Sequence, residues 1–226
     1  MSWSLWAIIL FRTQNRKSMN NPIGHFYYGG IPAAQHMGVI DAFTVLLKAV
    51  KPRQILEIGT SAGGLTVIIR DVLDWVGLFD TRIRTYDIPA GYYDRQHFDQ
   101  MLNRGMRVES YLKNIFTDDF LDLLPEEKPG TTSFIQSPGR TLIICDGGHK
   151  PQEFTIFADL MKPGDIIMAH DYAPNAQVFE AEVKGKIWNW MEIQDSDIQQ
   201  AVERNNLIPV FSHLFHNVAW TCQLKL

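Results

Sequence analysis

Gln54-Ile55-Leu56-Glu57-Ile58-Gly59-Thr60-Ser61-Ala62-Gly63-Gly64 is the stretch that decides how this chain folds. Ile55, Leu56 and Ile58 make a short apolar run with one acid inside it, bounded by glycine, which suits a buried strand. The turn Gly59–Gly64 follows at once. Leu65, Val67, Ile68, Ile69, Val72 and Leu73 then repeat at helical spacing. Buried strand, glycine-rich turn and helix form a unit in which the backbone can approach a ligand closely and the helix N-terminus offers free N–H groups.

Outward from this unit the same alternation continues. Strands are expected over 82–88, 106–112, 141–145 and 165–169. Helices are expected over 94–104, 117–128, 152–161, 175–190 and 196–205. Residues 129–140 read as a turn-rich loop, and 207–214 with 218–224 as a hairpin turning at 215–217. Upstream, 34–49 has helical spacing and Pro52 ends it. Residues 25–32 form an aromatic-glycine segment suited to closing over a ligand, although ordinary packing of tyrosines explains the same composition. Alternating strands and helices imply a parallel sheet with right-handed crossovers. The expected fold is therefore α/β: a Rossmann-like, doubly wound, mostly parallel sheet with a C-terminal antiparallel hairpin. Residues 1–50 are expected to form a helical and aromatic lid segment, and 51–226 the sheet domain.

Bulk properties narrow the function. The 226 residues are 46% hydrophobic and 20% charged, enough for a substantial core. A formal net charge of −4 argues against a nucleic-acid partner, which calls for a basic face. Two cysteines, Cys145 and Cys222, make neither a disulfide framework nor a zinc spacing. A cytoplasmic location is expected. Residues 3–11 are apolar but too short to span a bilayer and lack a basic leader, so no transmembrane segment or signal peptide is expected. They suit packing on the domain or on a second subunit of a homo-oligomer.

In open parallel sheets, ligands bind beyond the carboxyl ends of the strands. Glu57, Asp87, Asn114, Asp146, His149, His170 and Asp171 all fall at or just after such ends. The turn lacks the G-x-G-x-x-G of a dinucleotide site, because Ser61 stands where a glycine is expected, and it lacks the Gly-Lys-Ser/Thr of a P-loop. Turning a hydroxyl into a nucleophile needs its proton removed, by a base or by a metal that lowers the hydroxyl pKa. A histidine, ordinarily with a pKa of about 6.5, suits the first role. His149 on its Gly-Gly turn is the candidate, and a helix-capping role for it stays open. Asp146 and Asp171 on adjacent strand ends suit a shared hard cation, while His170 shifts preference toward softer ions or has a packing role.

Glu57-x-Gly59-x-x-x-Gly63 resembles the signature of class I S-adenosylmethionine-dependent methyltransferases. Over residues 27–172 the resemblance sharpens. Tyr28-Gly29-Gly30-Ile31-Pro32 and Lys51–Gly64 look like the cephalosporin hydroxylase family, to which macrolide-sugar O-methyltransferases are related. Asp146-Gly147-Gly148-His149 is similar to the D-G-S-H segment of the sugar enzymes. The resemblance implies a cofactor site for S-adenosylmethionine at Glu57, Gly59, Thr60, Ser61, Gly63, Asp87, Asn114 and Asp146, with Asp87 on the ribose hydroxyls. It implies His149 as general base and a divalent metal, magnesium or manganese, at Asp146, His170 and Asp171. His170 replaces one acid of the family's second metal-binding pair. The implied activity is metal-assisted O-methylation of a small hydroxylated molecule, a sugar or natural product. A nicotinamide-dependent oxidoreductase and a non-catalytic adenosylmethionine-binding protein are the alternatives.

Overall fold

Strand residues alternate between two buried faces, and this alternation builds the molecule. The computed structural model describes residues 24, 26–89 and 95–226. The expectations for segment 3–11, for loop 12–24 except Gly24, and for His25 lie outside the described residues. The chain opens with a hairpin, β1 (Phe26–Tyr28) and β2 (Ile31–Ala33), then α1 (Val39–Val50). β3 (Gln54–Ile58), α2 (Gly64–Trp75), β4 (Arg82–Asp87), α3 (Gln96–Asn103) and β5 (Glu109–Leu112) follow. Next come α4 (Lys128–Gln136), β6 (Thr141–Cys145), α5 (Lys150–Leu160) and β7 (Ile166–His170). A short α6 (Ala176–Val178) runs into a π-helical turn at Phe179–Val183. The chain closes with α7 (Asp195–Arg204), β8 (Leu207–Pro209), α8 (Ser212–Phe215) and β9 (Trp220–Lys225).

The larger sheet has seven strands in the order β5-β4-β3-β6-β7-β9-β8. β3, β4, β5, β6 and β7 are mutually parallel, and β9 lies antiparallel to both β7 and β8. Every residue of β3, β6 and β7 is buried, as a parallel sheet covered on both faces requires. Ile55, Leu142, Ile144, Ile166 and Met168 face α1 and α2 in one core. Leu56, Ile58, Ile143, Cys145 and Ile167 face the other core, with Phe154, Phe157 and Ile198. Both cysteines are buried and free. Among the described residues no helix is long and apolar enough to cross a membrane.

Three expectations are corrected here. Residues 117–128 do not form a helix, and the helix lies in the supposed loop, at Lys128–Gln136. Asp119 Oδ1 accepts from Thr117 Oγ1 and from the Leu121 N–H, so local side chains compete with helical bonding, and Pro125 then interrupts it. Pro129 is tolerated because it falls in the first helical turn. Helix 175–190 ends at Val183. The expected hairpin exists, but α8 and a 3₁₀ turn at His216–Val218 join its strands, so the first strand stops at Pro209.

Three glycines set the turn after β3. A Cβ on Gly59 would lie 2.1 Å from the Asp146 carbonyl oxygen, and one on Gly63 would lie 2.2 Å from the Phe98 ring. A Cβ on Gly64 would meet the Pro32 carbonyl oxygen at 2.3 Å, where the β1–β2 hairpin lies on α2. Tyr28 fastens that hairpin, donating to Asp71 Oδ2 at 2.9 Å. The glycines are thus needed for close approach of the protein to itself.

Candidate active site

The chain runs outward from β3 to β5 and then returns to β6, so the switch point of the sheet lies between the ends of β3 and β6. A cleft of about 180 Å³ opens there. Gly59, Asp87, Asn114, Lys113, Phe120 and the turn Gly147–His149 line it.

Asp87 leaves β4 facing the turn. Its Oδ2 accepts a very short hydrogen bond from the Ser61 N–H, and its Oδ1 accepts from the Ile88 N–H at 2.8 Å. Asn114 Oδ1 accepts from the Phe116 N–H at 3.0 Å, fixing the wall of the cleft. His149 is exposed on the cleft as the N-cap of α5, with its ring stacked on Phe120 at 3.8 Å between centroids. Glu153, buried one turn on, accepts from the backbone N–H groups of Gly147 and His149, and burial raises its carboxyl pKa to about 7. It is a further cleft residue that sequence reading missed. Its spacing four residues after His149 is the signal that was available.

Glu57 and Thr60 sit differently from the expectation. Alternation turns Glu57 toward α2, where its Oε2 accepts from Thr66 Oγ1 at 2.6 Å. Its Oε1 is buried with no hydrogen-bond partner. Thr60 Oγ1 meets Thr85 Oγ1 at 2.6 Å beneath the turn. Both tie the turn to its scaffold, and neither lines the cleft.

Desolvation raises the Glu57 carboxyl from 4.5 to about 7. The folded chain therefore binds the extra proton between those values. Stability from this group is fully present below about 4.5 and is lost as pH rises through about 7. Glu57→Gln has no charge to bury. Its thermal melts should show a flatter pH slope than the parent and a gain on the order of 2 kcal/mol at about pH 8. Parallel pH slopes for the two proteins would show that Glu57 keeps an ordinary pKa.

Asp146, His170 and Asp171 converge as the sequence implied, with one donor atom from each lying within 4.8 Å of the others. His170 is buried between the rings of Trp220 and Trp188, at 4.8 and 4.9 Å. Its Nδ1 lies 3.0 Å from Asp146 Oδ1. Burial opposes charge on this imidazole, but Asp171 and Asp146 outweigh it and hold its pKa above the ordinary value. Gln35, from the segment after β2, donates to Asp146 Oδ2 at 2.7 Å and accepts from Trp220 Nε1 at 3.0 Å. Trp188 Nε1 donates a very short bond to Asp171 Oδ1. Lys150, only 4% exposed, reaches Asp171 Oδ2 at 2.8 Å and Glu192 Oε2 at 2.7 Å. Gln35, Lys150, Trp188, Glu192 and Trp220 complete a cluster of which the sequence announced only three members.

Donor type and spacing suit a divalent cation. The surroundings do not, because an ammonium group already rests on the same carboxylates and would repel the ion.

The strand order and the antiparallel insertion of β9 define a Rossmann-like methyltransferase fold. Comparison with solved structures agrees. A proposed caffeoyl-CoA O-methyltransferase from Staphylococcus aureus superposes with a TM-score of 0.56 at 13% identity, covering 100% of this chain and 93% of that one. CmcI with Mg-SAM gives 0.58 at 13% identity, covering 89% and 76%. A proposed O-methyltransferase from Klebsiella pneumoniae gives 0.50 at 16%, covering 87% and 84%. No family model and no curated protein matches the sequence.

Proposed function

We propose that the protein is an S-adenosylmethionine-dependent O-methyltransferase acting on a small hydroxylated molecule. One observation carries this reading: Gly59, Asp87, Asn114 and His149 line a single cleft at the switch point of the sheet. The residues there fit the cofactor. Asp87 keeps lone pairs free for ribose hydroxyls after accepting its two backbone N–H groups. The Ser61 N–H already bonds this carboxylate, which would face and repel a diphosphate, so the turn suits adenosylmethionine better than a nicotinamide dinucleotide. O-methyltransferases of the same fold support the reaction class.

S-adenosylmethionine, when bound, would supply an electrophilic methyl group to the acceptor oxygen, with its sulfur as the leaving group. His149 takes the hydroxyl proton of the acceptor. Phe120 stacks on the imidazole and holds its plane. The backbone of His149 is fixed by Glu153, so its ring has a defined origin at the cleft edge. Much of the rate enhancement then comes from positioning, as suits an in-line displacement.

S-adenosylmethionine or S-adenosylhomocysteine should raise the melting temperature, and NAD should not. At 100 times its dissociation constant the ligand adds roughly 2.7 kcal/mol of stability. A shift with NAD alone overturns the assignment. Acceptors are then found by screening hydroxylated compounds for a mass gain of one methyl group.

A further inference from the structure

We infer that the ammonium group of Lys150 takes the place of a divalent cation at the Asp146–Asp171 carboxylates, so that this site works without a metal. The inference deepens the methyltransferase reading and rests on it only for its catalytic meaning; the occupancy itself is a separate fact about the fold.

Lys150 is the first residue of α5, directly after the His149 N-cap. The helix start brings its side chain back over the end of β6. Its ammonium donates to Glu192 Oε2 at 2.7 Å and to the Gly147 carbonyl oxygen at 2.9 Å, and it pairs with Asp171 Oδ2 at 2.8 Å. Asp146 Oδ1 lies 3.9 Å from the same nitrogen, close enough for charge attraction without a bond. The other oxygens of the acid pair are also taken. Asp171 Oδ1 accepts from Trp188 Nε1, Asp146 Oδ2 accepts from Gln35 Nε2, and Asp146 Oδ1 meets His170 Nδ1. Every oxygen of the acid pair therefore has a partner supplied by the chain. A metal bound to Asp171 Oδ2 would stand within a few ångströms of a buried positive charge held by two hydrogen bonds and an ion pair.

The arrangement also accounts for the histidine at position 170. A pair of acids at 170 and 171 beside Asp146 and Glu192 would leave Lys150 facing four carboxylates. With His170 in place of one of them, Lys150 faces three. A buried charge is stable only where it is paired and hydrogen-bonded, and Lys150 meets both conditions. Lys150 is thus a positioning residue. It fixes the Gly147 carbonyl of the turn that carries His149, and it holds the ends of β6 and β7 together by charge.

The test is manganese binding, read by electron paramagnetic resonance on chelator-stripped protein, with tryptophan emission from Trp188 as a second signal. The parent chain should bind no stoichiometric manganese at millimolar concentration. Lys150→Met keeps the packed alkyl stem but frees the acids, and should bind one ion per chain at least about tenfold more tightly than the parent. Lys150→Arg should stay blind to manganese. One tightly bound ion in the parent overturns the inference, and so does a folded Lys150→Met that binds manganese no better than the parent. If Lys150→Met does not fold, the titration of the parent alone decides. None of these readouts involves adenosylmethionine, so failure of the methyltransferase reading would appear separately, as the missing shift in melting temperature.

Discussion

His149→Ala is expected to lower the single-turnover rate of methyl transfer by about 10²–10⁴-fold, the usual loss for a missing general base. Cofactor affinity and folding should change little. The imidazole is exposed on the cleft and stacks on Phe120, while the bond that fixes this turn runs from the His149 backbone N–H to Glu153 and survives the substitution. The measurement is a single-turnover assay on an acceptor from the mass-shift screen. Full rate in His149→Ala would mean that the base lies elsewhere, and that Asp146-Gly147-Gly148-His149 is only a strand-to-helix turn.

The second large effect is on the fold. Gly59→Ala should cost more than about 4 kcal/mol and leave little folded protein. The new Cβ would lie 2.1 Å from the Asp146 carbonyl oxygen, 2.4 Å from its carbon and 2.7 Å from the Gly147 nitrogen. All three are backbone atoms, so no side chain can swing aside. The neighbouring register is pinned by the Asp146 N–H bond to the Ile58 carbonyl at 2.9 Å. A φ of +93° at this position adds strain for any residue with a Cβ. Gly148→Ala is the control: its Cβ meets nothing within 4 Å, so its stability should stay within about 0.5 kcal/mol of the parent. Equal melting curves for the two variants would refute the close approach of the turns after β3 and β6.

Local pattern carried much of this architecture. The runs at 54–58, 141–145 and 165–169 are short, apolar and bounded by turn residues, and burial on both faces of a parallel sheet leaves few other outcomes. Asp87, Asn114 and His149 were legible because strand ends are marked by the change from apolar to polar residues. Where local signals conflict, the pattern misled. Pro129-Gly130 reads as a loop and yet lies in the first turns of α4. The acidic stretch before it reads as a helix, but Asp119 and Thr117 bond their own backbone instead.

The sequence by itself determined the alternation of strands and helices that builds the parallel part of the sheet, the glycine turn, and the convergence of polar residues at the carboxyl ends of the sheet. Periodicity reports which side of an element is buried, and that suffices for these features. It does not report which distant side chain arrives opposite. Gln35 meets Asp146 across 111 positions and Trp220 across 185, and Lys150 meets Glu192 across 42. Only the tertiary structure decided that a lysine amine, rather than open space, stands between the acids at the ends of β6 and β7. The reason is physical: a buried charge takes whichever opposite charges the packed elements bring within hydrogen-bond distance, and that choice is made by the packing of the sheet and its helices.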